Sequence, residues 1–178
     1  PKVNSYCCCL ECYYPVDGTA SGSRCEKCAW PLCDDCLKMD ELPVHSRECE
    51  VFRNAKCKFY NLSEADAISL QLDCITPLRV LLAMKANPQR WKDEVEPMEH
   101  HRNERFGSKA WAADAQNIVA YLLQACKLKE MEISDELIQR VIGILEVNAF
   151  EAKTLKGDFA RCLYPKLAIL THSCTANT

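Results

Sequence analysis

Eight metal-ligand residues are regularly spaced within the first fifty residues, and this spacing constrains the fold more than any other feature. Three pairs of cysteines, each with two residues between them, are followed by a histidine and a cysteine separated by three residues: Cys9, Cys12, Cys25, Cys28, Cys33, Cys36, His45 and Cys49. A two-residue gap lets both thiolates reach one tetrahedral ion at about 2.3 Å each. The four pairs therefore predict two zinc ions, each fully coordinated by protein and hence structural rather than catalytic.

Spacing alone leaves the pairing of these ligands open. In a sequential arrangement the first four cysteines share one ion. In an interleaved arrangement Cys9, Cys12, Cys33 and Cys36 hold one ion, and Cys25, Cys28, His45 and Cys49 hold the other. The gap of four residues between Cys28 and Cys33 is short for two fully separate sites, and interleaving ties distant parts of the chain together. Cys8 is an alternative first ligand, although Cys9 has the better spacing.

The distribution of cysteines argues against a secreted disulfide scaffold. The chain has 14 cysteines in 178 residues, and most of them lie between Cys7 and Cys49, whereas the remainder has enough apolar residues for its own core. We therefore expect metal binding in a reducing compartment, cytoplasmic and/or nuclear. The net charge of −3 gives no general attraction for phosphates, so nucleic acid is not an expected partner. The sequence contains no apolar run of about 18 residues, the length that would predict a membrane span.

Differences in residue composition and apolar periodicity divide the chain into three parts. Residues 1–56 have too little apolar periodicity to fold without metal. Residues 57–146 predict helices, and residues 147–178 predict a short strand over 147–152 followed by an irregular tail. The charged segment 89–106 predicts a solvated connector.

Several local signals place the helices. Thr76 as cap and Pro77 at the first helical position predict one helix start, and Asn87-Pro88 predicts that helix's end. An apolar stripe from Trp111 to Cys126 predicts a second buried helix face, and Ser134 predicts the cap of a further helix.

The ligand series resembles the MYND zinc finger, whose hallmark is a series of cysteine pairs closed by His-x3-Cys. This resemblance implies the interleaved pairing. It also offers two interpretations of Trp30-Pro31 with Tyr13 and Tyr14. These residues would form either an aromatic groove for Pro-rich peptides or the internal packing of a small finger.

The rest of the chain is similar to SET-and-MYND (SMYD) proteins, in particular to their SmydA-type branch. Asn148-Ala149-Phe150 resembles the Asn-Ser-Phe of the SET core. Leu163-Tyr164-Pro165 and Leu170-Thr171-His172-Ser173-Cys174 resemble the family's Leu-Tyr-Pro and Leu-Asn-His-Ser-Cys. The resemblance implies an α+β fold with a MYND finger over 1–56, a helical SET insertion over 57–146 and a partial, β-rich SET core over 147–178.

The same resemblance implies methyl transfer from S-adenosylmethionine to a lysine of a histone or other protein. Asn148, Thr171 and His172 would then lie against the cofactor, and Cys174 would contribute to a third zinc site. A structural role for His172 and a plain thiol role for Cys174 are the alternatives. The family's Gly-x-Gly segment and catalytic tyrosine are not in this sequence, and we expect the chain to be part of a longer protein.

Two functions therefore stay open at this point. In the first, the chain is part of a protein-lysine methyltransferase whose finger recognises proteins. In the second, it is a non-catalytic adaptor that binds Pro-rich partners in transcription regulation, an interpretation favoured by Thr171 in place of the family's usual asparagine.

Overall fold

The computed structural model describes residues 7–63, 69–153 and 159–169. The cysteine-rich segment, residues 7–56, which we call the finger, contains the helices α1 (Asp34–Leu37) and α2 (Ser46–Ala55). Its strand-like pairing consists of two isolated antiparallel bridges, Cys8 with Pro15 and Arg24 with Pro31. So little regular structure cannot hold the finger together by backbone hydrogen bonds alone.

The part of the chain that follows is mainly helical, and we call residues 69–148 the helical segment. Its elements are a 3₁₀ turn (Leu70–Cys74), α3 (Ile75–Ala86), α4 (Pro88–Arg90) with a π-helical turn (Trp91–Val95), α5 (Arg102–Arg105), α6 (Lys109–Asp114) with π-helical turns (Ala115–Val119 and Tyr121–Ala125), a second 3₁₀ turn (Leu128–Met131) and α7 (Asp135–Asn148). An antiparallel pair follows, in which β1 (Phe150–Lys153) lies against β2 (Phe159–Cys162) with Phe150 opposite Cys162.

Two of the predicted helix boundaries are confirmed, and one is wrong by two residues. The Ser134 side chain caps α7 by accepting a hydrogen bond from the backbone N–H of Leu137 at 3.1 Å, and α3 ends at Ala86 directly before Asn87. However, α3 begins at Ile75 rather than at Pro77. Pro77 is tolerated within the first turn because the N–H groups there have no intrahelical acceptor.

The strand predicted over 147–152 begins later than expected. Helix α7 continues through Asn148, and β1 starts only at Phe150. The helix persists because its last carbonyl groups find side-chain donors: Asn148 donates to the carbonyl of Ile144 at 2.8 Å, and Arg161 donates to that of Leu145 at 2.7 Å. The zinc-ligand clusters, the helices and this small sheet fit the expected α+β class, while the layout of a SET core stays a prediction.

The prediction of a solvated connector over 89–106 is wrong at two positions. Trp91 and Arg105 are both only 8% exposed. Arg105 is held by ion pairs with Asp114 and Glu146, at 2.7 Å each. Such a charge can be buried because carboxylates from two other parts of the chain meet it.

The core has one aromatic and one aliphatic portion. In the finger, Trp30 stacks on Phe52 with ring centroids 4.0 Å apart, and Phe59, which follows the finger, packs against Trp30 with centroids 5.5 Å apart. In the helical segment the fully buried side chains are aliphatic and come from α3, the π-helical turns after α6, the second 3₁₀ turn and α7: Leu78, Leu81, Leu122, Leu128, Ile138, Val141, Ile144 and Leu145. None of the described helices combines the length and the unbroken apolar sequence that a bilayer crossing requires.

This packing predicts the cost of a core truncation. Replacing the fully buried Ile144 with alanine should lower the free energy of unfolding by about 2–5 kcal/mol, because a cavity remains where the side chain was. Urea denaturation followed by circular dichroism measures the loss. The same substitution at Ile169, which is 79% exposed, is the matched control and should change stability by less than about 0.5 kcal/mol. Equal losses for the two variants would contradict the assigned core.

Candidate metal centre

The structure gathers the predicted ligands into two clusters in the interleaved arrangement. The first contains four cysteines, Cys9, Cys12, Cys33 and Cys36, and the second contains three cysteines and a histidine, Cys25, Cys28, His45 and Cys49. Within each cluster the ligand atoms all lie within 4.8 Å of one another. The sequential pairing does not occur, and Cys8 belongs to neither cluster.

Distances between the ligand atoms match a tetrahedral zinc ion. Thiolates bound at 2.3 Å around such an ion lie about 3.8 Å apart. The sulfurs of Cys12 and Cys33 are 3.7 Å apart, and those of Cys25 and Cys49 are 3.8 Å apart. The Sγ of Cys28 lies 3.4 Å from Nε2 of His45, as expected for one sulfur and one nitrogen on the same ion. Both clusters therefore fit zinc.

The first cysteine pair of each cluster sits in the same local turn. Tyr13 and Ala29, which directly follow Cys12 and Cys28, adopt left-handed backbone angles with φ of 62° and 63°. Their N–H groups donate back to the carbonyls of Cys9 and Cys25, at 2.9 and 2.8 Å. This turn brings the two sulfurs of a pair to one side of the backbone, where both can reach the same ion.

Backbone N–H groups also donate hydrogen bonds to the ligand sulfurs, which favours their thiolate form. Burial opposes ionisation of Cys25, but hydrogen bonds from the backbone of Cys28 and Lys27 lower the pKa of its thiol to about 7. Burial raises the pKa of Cys12 and of Cys28, and a backbone hydrogen bond opposes that rise at each sulfur: from Tyr14 at Cys12 and from Trp30 at Cys28. Because zinc binds the thiolate, these donors favour the ligating form.

The histidine ligand is oriented by a buried carboxylate. Nδ1 of His45 lies 3.0 Å from Oε1 of Glu48, and both side chains are fully buried. Burial alone would lower the pKa of His45, but the hydrogen bonds with Glu48 and Cys25 raise it above the ordinary value. The bond to Glu48 places the proton on Nδ1 and leaves the Nε2 lone pair for the metal, as second-shell carboxylates do in zinc proteins.

Glu48 is in turn held by an arginine from the helical segment. Arg79 of α3 donates from Nε and Nη2 to the two carboxylate oxygens of Glu48, at 2.5 and 2.6 Å. The same guanidinium donates to the hydroxyl of Tyr13 and to the carbonyl of Leu10, which lie in the loop of the first cluster. One side chain of the helical segment thus contacts the surroundings of both clusters.

A second carboxylate joins the two clusters within the finger. Glu11 lies between the ligands Cys9 and Cys12 and is 8% exposed. Its carboxylate accepts a hydrogen bond from the backbone N–H of His45 at 2.7 Å and from that of Val44 at 3.1 Å. A carboxylate from the loop of the first cluster therefore fixes the backbone of a ligand of the second cluster.

Trp30 packs inside the finger and is not exposed to a ligand. Its ring is fully buried against Phe52, and its Nε1 donates to the carbonyl of Cys57 at 2.8 Å. Tyr13 is half-buried against Arg79, whose guanidinium carbon lies 5.3 Å from the ring centre. Of the three predicted rings, Tyr14 is the exposed one. The packing alternative therefore holds for Trp30.

The residues predicted to contact the cofactor are only partly described. Asn148 is the last residue of α7, and its Nδ2 donates to the carbonyls of Glu99 and Ile144, at 2.8 Å each. Thr171, His172 and Cys174 lie outside the described residues. The cofactor roles of Asn148, Thr171 and His172 stay predictions, and so does the zinc role of Cys174.

Glu11, Glu48 and Arg79 were missed by sequence reasoning. Glu48 has a weak signal, since it lies three residues after His45 on what becomes one face of α2. The sequence carries no signal for Arg79, because it lies 31 positions after Glu48 and only the fold brings the two together.

The interleaved clusters predict the zinc content of cysteine variants. The double variant Cys12→Ala with Cys33→Ala should bind one zinc ion instead of two, because both changes fall in one cluster. Elemental mass spectrometry of the purified protein gives the stoichiometry. Cys8→Ala, next to a ligand but in neither cluster, is the control and should retain two ions. Loss of both ions from the double variant would favour the sequential pairing instead.

The contact of Glu48 with His45 predicts an effect on zinc affinity. Glu48→Gln should weaken zinc binding at the second cluster about 10- to 100-fold, because His45 loses its orienting partner and Arg79 its counter-charge. Competition with a chromogenic chelator measures the affinity. Glu50→Gln, an exposed position on the same helix, is the matched control and should bind zinc normally. An unchanged affinity in Glu48→Gln would show that the carboxylate has no part in holding the metal.

Comparison with known proteins gives one informative similarity. The chain is 27% identical over 174 residues to the SET domain-containing protein SmydA-8, isoform A, of Drosophila melanogaster. The alignment covers 95% of this chain, which spans about a third of that relative's length (34%). No protein-family model and no solved structure matches the chain. The similarity extends over nearly all of this chain, and the two ligand clusters fit a MYND-type finger. Together they confirm the predicted resemblance to the SET-and-MYND family.

Proposed function

We propose that this chain is the finger and helical part of a protein-lysine N-methyltransferase that uses S-adenosylmethionine. The observation that carries the proposal is the similarity over 95% of the chain to a protein described as SET domain-containing. SET domains transfer the methyl group of the sulfonium cofactor to a lysine amine. The substrate is a lysine in a histone or another protein.

The two zinc clusters have no catalytic part in this proposal. All ligands of each ion come from the protein, and seven of the eight are buried, with Cys12 exposed. Neither ion has an open position for water or substrate, so neither can act as a Lewis acid. The finger instead supplies a rigid surface next to the helical segment, to which it is fixed through Arg79.

The cofactor would be held mainly by residues near the end of the chain. Both Nδ2 hydrogens of Asn148 are donated to carbonyl groups of the protein, so its Oδ1 is the atom left for a cofactor donor. Thr171 and His172 would supply the remaining contacts from this chain. The cofactor brings the electrophilic methyl group, and the protein's task is to orient it and to exclude water.

A non-catalytic adaptor is the second candidate. It is favoured by Thr171, whose hydroxyl offers fewer hydrogen bonds than the asparagine usual in the family. The full burial of Trp30 removes one of the three rings expected to form its Pro-rich peptide groove. The methyltransferase is therefore the better-supported of the two functions.

Calorimetry with S-adenosylmethionine on the longer protein that contains this chain tests the proposal. We expect saturable binding that His172→Ala weakens about tenfold, the effect of losing one good polar contact. His101→Ala, at an exposed histidine, is the matched control and should bind the cofactor normally. Absence of binding at millimolar cofactor would rule out the enzyme and leave the adaptor.

A further inference from the structure

Two cysteines that are not zinc ligands meet where the finger joins the helical segment. Cys57 follows the end of α2, and Cys126 follows the last π-helical turn after α6. Their sulfurs are 3.9 Å apart, although 69 residues separate them in sequence. Both are buried, at 7% and 2% exposure. Because an S–S bond is about 2.05 Å long, forming one requires the two sulfurs to approach by about 1.9 Å.

A directed set of hydrogen bonds ends on the sulfur of Cys57. The backbone N–H of Tyr60 donates to Oε1 of Gln71 at 2.6 Å, which fixes the orientation of that amide. The Nε2 of Gln71 then donates to the carbonyl of Lys58 at 3.1 Å and to the hydroxyl oxygen of Tyr121 at 2.6 Å. The hydrogen of Tyr121 is thereby left for the sulfur of Cys57, which lies 2.9 Å from the hydroxyl oxygen.

These donors divide the roles of the two thiols. The hydrogen bond from Cys126 lowers the pKa of Cys57 to about 7, assisted by Tyr121 and opposed by burial. The same hydrogen bond, together with burial, raises the pKa of Cys126. Cys57 is therefore the nucleophilic thiolate near neutral pH, and Cys126 is its proton donor and resolving partner.

One cysteine of this pair, Cys126, is accessible from a cavity that a small oxidant can enter. A cavity of about 530 Å³ lies between α2 and the segment that follows Cys126, and Cys126 forms part of its wall together with Asn54, Leu82 and Met131. A hydroperoxide is small and uncharged, so it can enter such a cavity without the desolvation penalty of an ion.

We propose that Cys57 and Cys126 are an oxidation site that forms a reversible disulfide with hydrogen peroxide and locks the finger onto the helical segment. The inference is independent of methyl transfer, since both residues lie outside the zinc clusters and neither is among the residues proposed to hold the cofactor.

The reaction takes place in two displacement steps. The Cys57 thiolate attacks one peroxide oxygen; the S–O bond forms, the O–O bond breaks, and the hydroxide that leaves takes the proton of Cys126 to become water. The Cys126 thiolate then attacks the sulfur of the resulting sulfenic acid. The S–S bond forms, the S–O bond breaks, and the second hydroxide is protonated by solvent, which received the proton of Cys57. The thiol pair loses two electrons and hydrogen peroxide gains them.

Peptide mapping after peroxide treatment of the zinc-loaded protein tests the site. Cleavage after glutamate releases Cys57 in peptide 51–64, Cys126 in peptide 105–130 and Cys74 in peptide 65–94, each with a single cysteine. We expect a 51–64 to 105–130 cross-link that reducing agent removes, with two zinc ions retained. Peptide 65–94 should stay reduced, since Cys74 is buried and burial raises its pKa.

Variants separate this chemistry from misfolding. Tyr121→Phe should slow cross-link formation about fivefold, because Cys57 loses one donor while the ring keeps its packing. Tyr60→Phe changes an exposed ring and should leave the rate unchanged. Zinc content and the thermal midpoint measured on the same samples show whether each variant is folded. In folded, zinc-loaded protein, an unlinked pair or a cross-link to Cys74 or to a zinc ligand would overturn the proposal.

Discussion

Tetrahedral coordination by thiolates and one imidazole holds the finger together, and the rest of the structure is arranged around it. The finger has two short helices and two isolated strand bridges, too little to offset the entropy of ordering some fifty residues. Structural zinc supplies about 10–16 kcal/mol in comparable fingers. Because the ligands are interleaved, each ion joins segments of the finger that are distant in sequence.

The coordination extends outward through charged side chains that reach the helical segment. The imidazole of His45 is oriented by Glu48, and Glu48 is held by Arg79 of α3, which also contacts Tyr13 in the loop of the first cluster. An ion pair of this kind would be worth little at the surface, but here Glu48 is fully buried and the loss of either partner leaves a charge uncompensated. The finger is thus fixed on the helices through these side chains.

The functional conclusion depends on different evidence from the fold. The zinc clusters have no open coordination position, so they account for the stability and the surface of the finger. Methyl transfer is inferred instead from similarity to a SET domain-containing relative of about three times this length. The thiol pair adds chemistry of its own. Cys57 and Cys126 lie at the same junction that Arg79 stabilises, so oxidation there would strengthen a contact on which the placement of the finger already depends.

The identity of the eight ligands and the existence of the helices follow from the sequence, because cysteine spacing and helical periodicity are local properties that act over a few residues. The Ser134 cap and the end of α3 before Asn87 are of this kind. Ligand pairing, the partners of Arg79 and the meeting of Cys57 with Cys126 depend on how distant segments approach, and no local pattern records that. The start of β1 shifted for the same reason, since Arg161, 16 residues away, supplies the donor for the carbonyl of Leu145 near the end of α7.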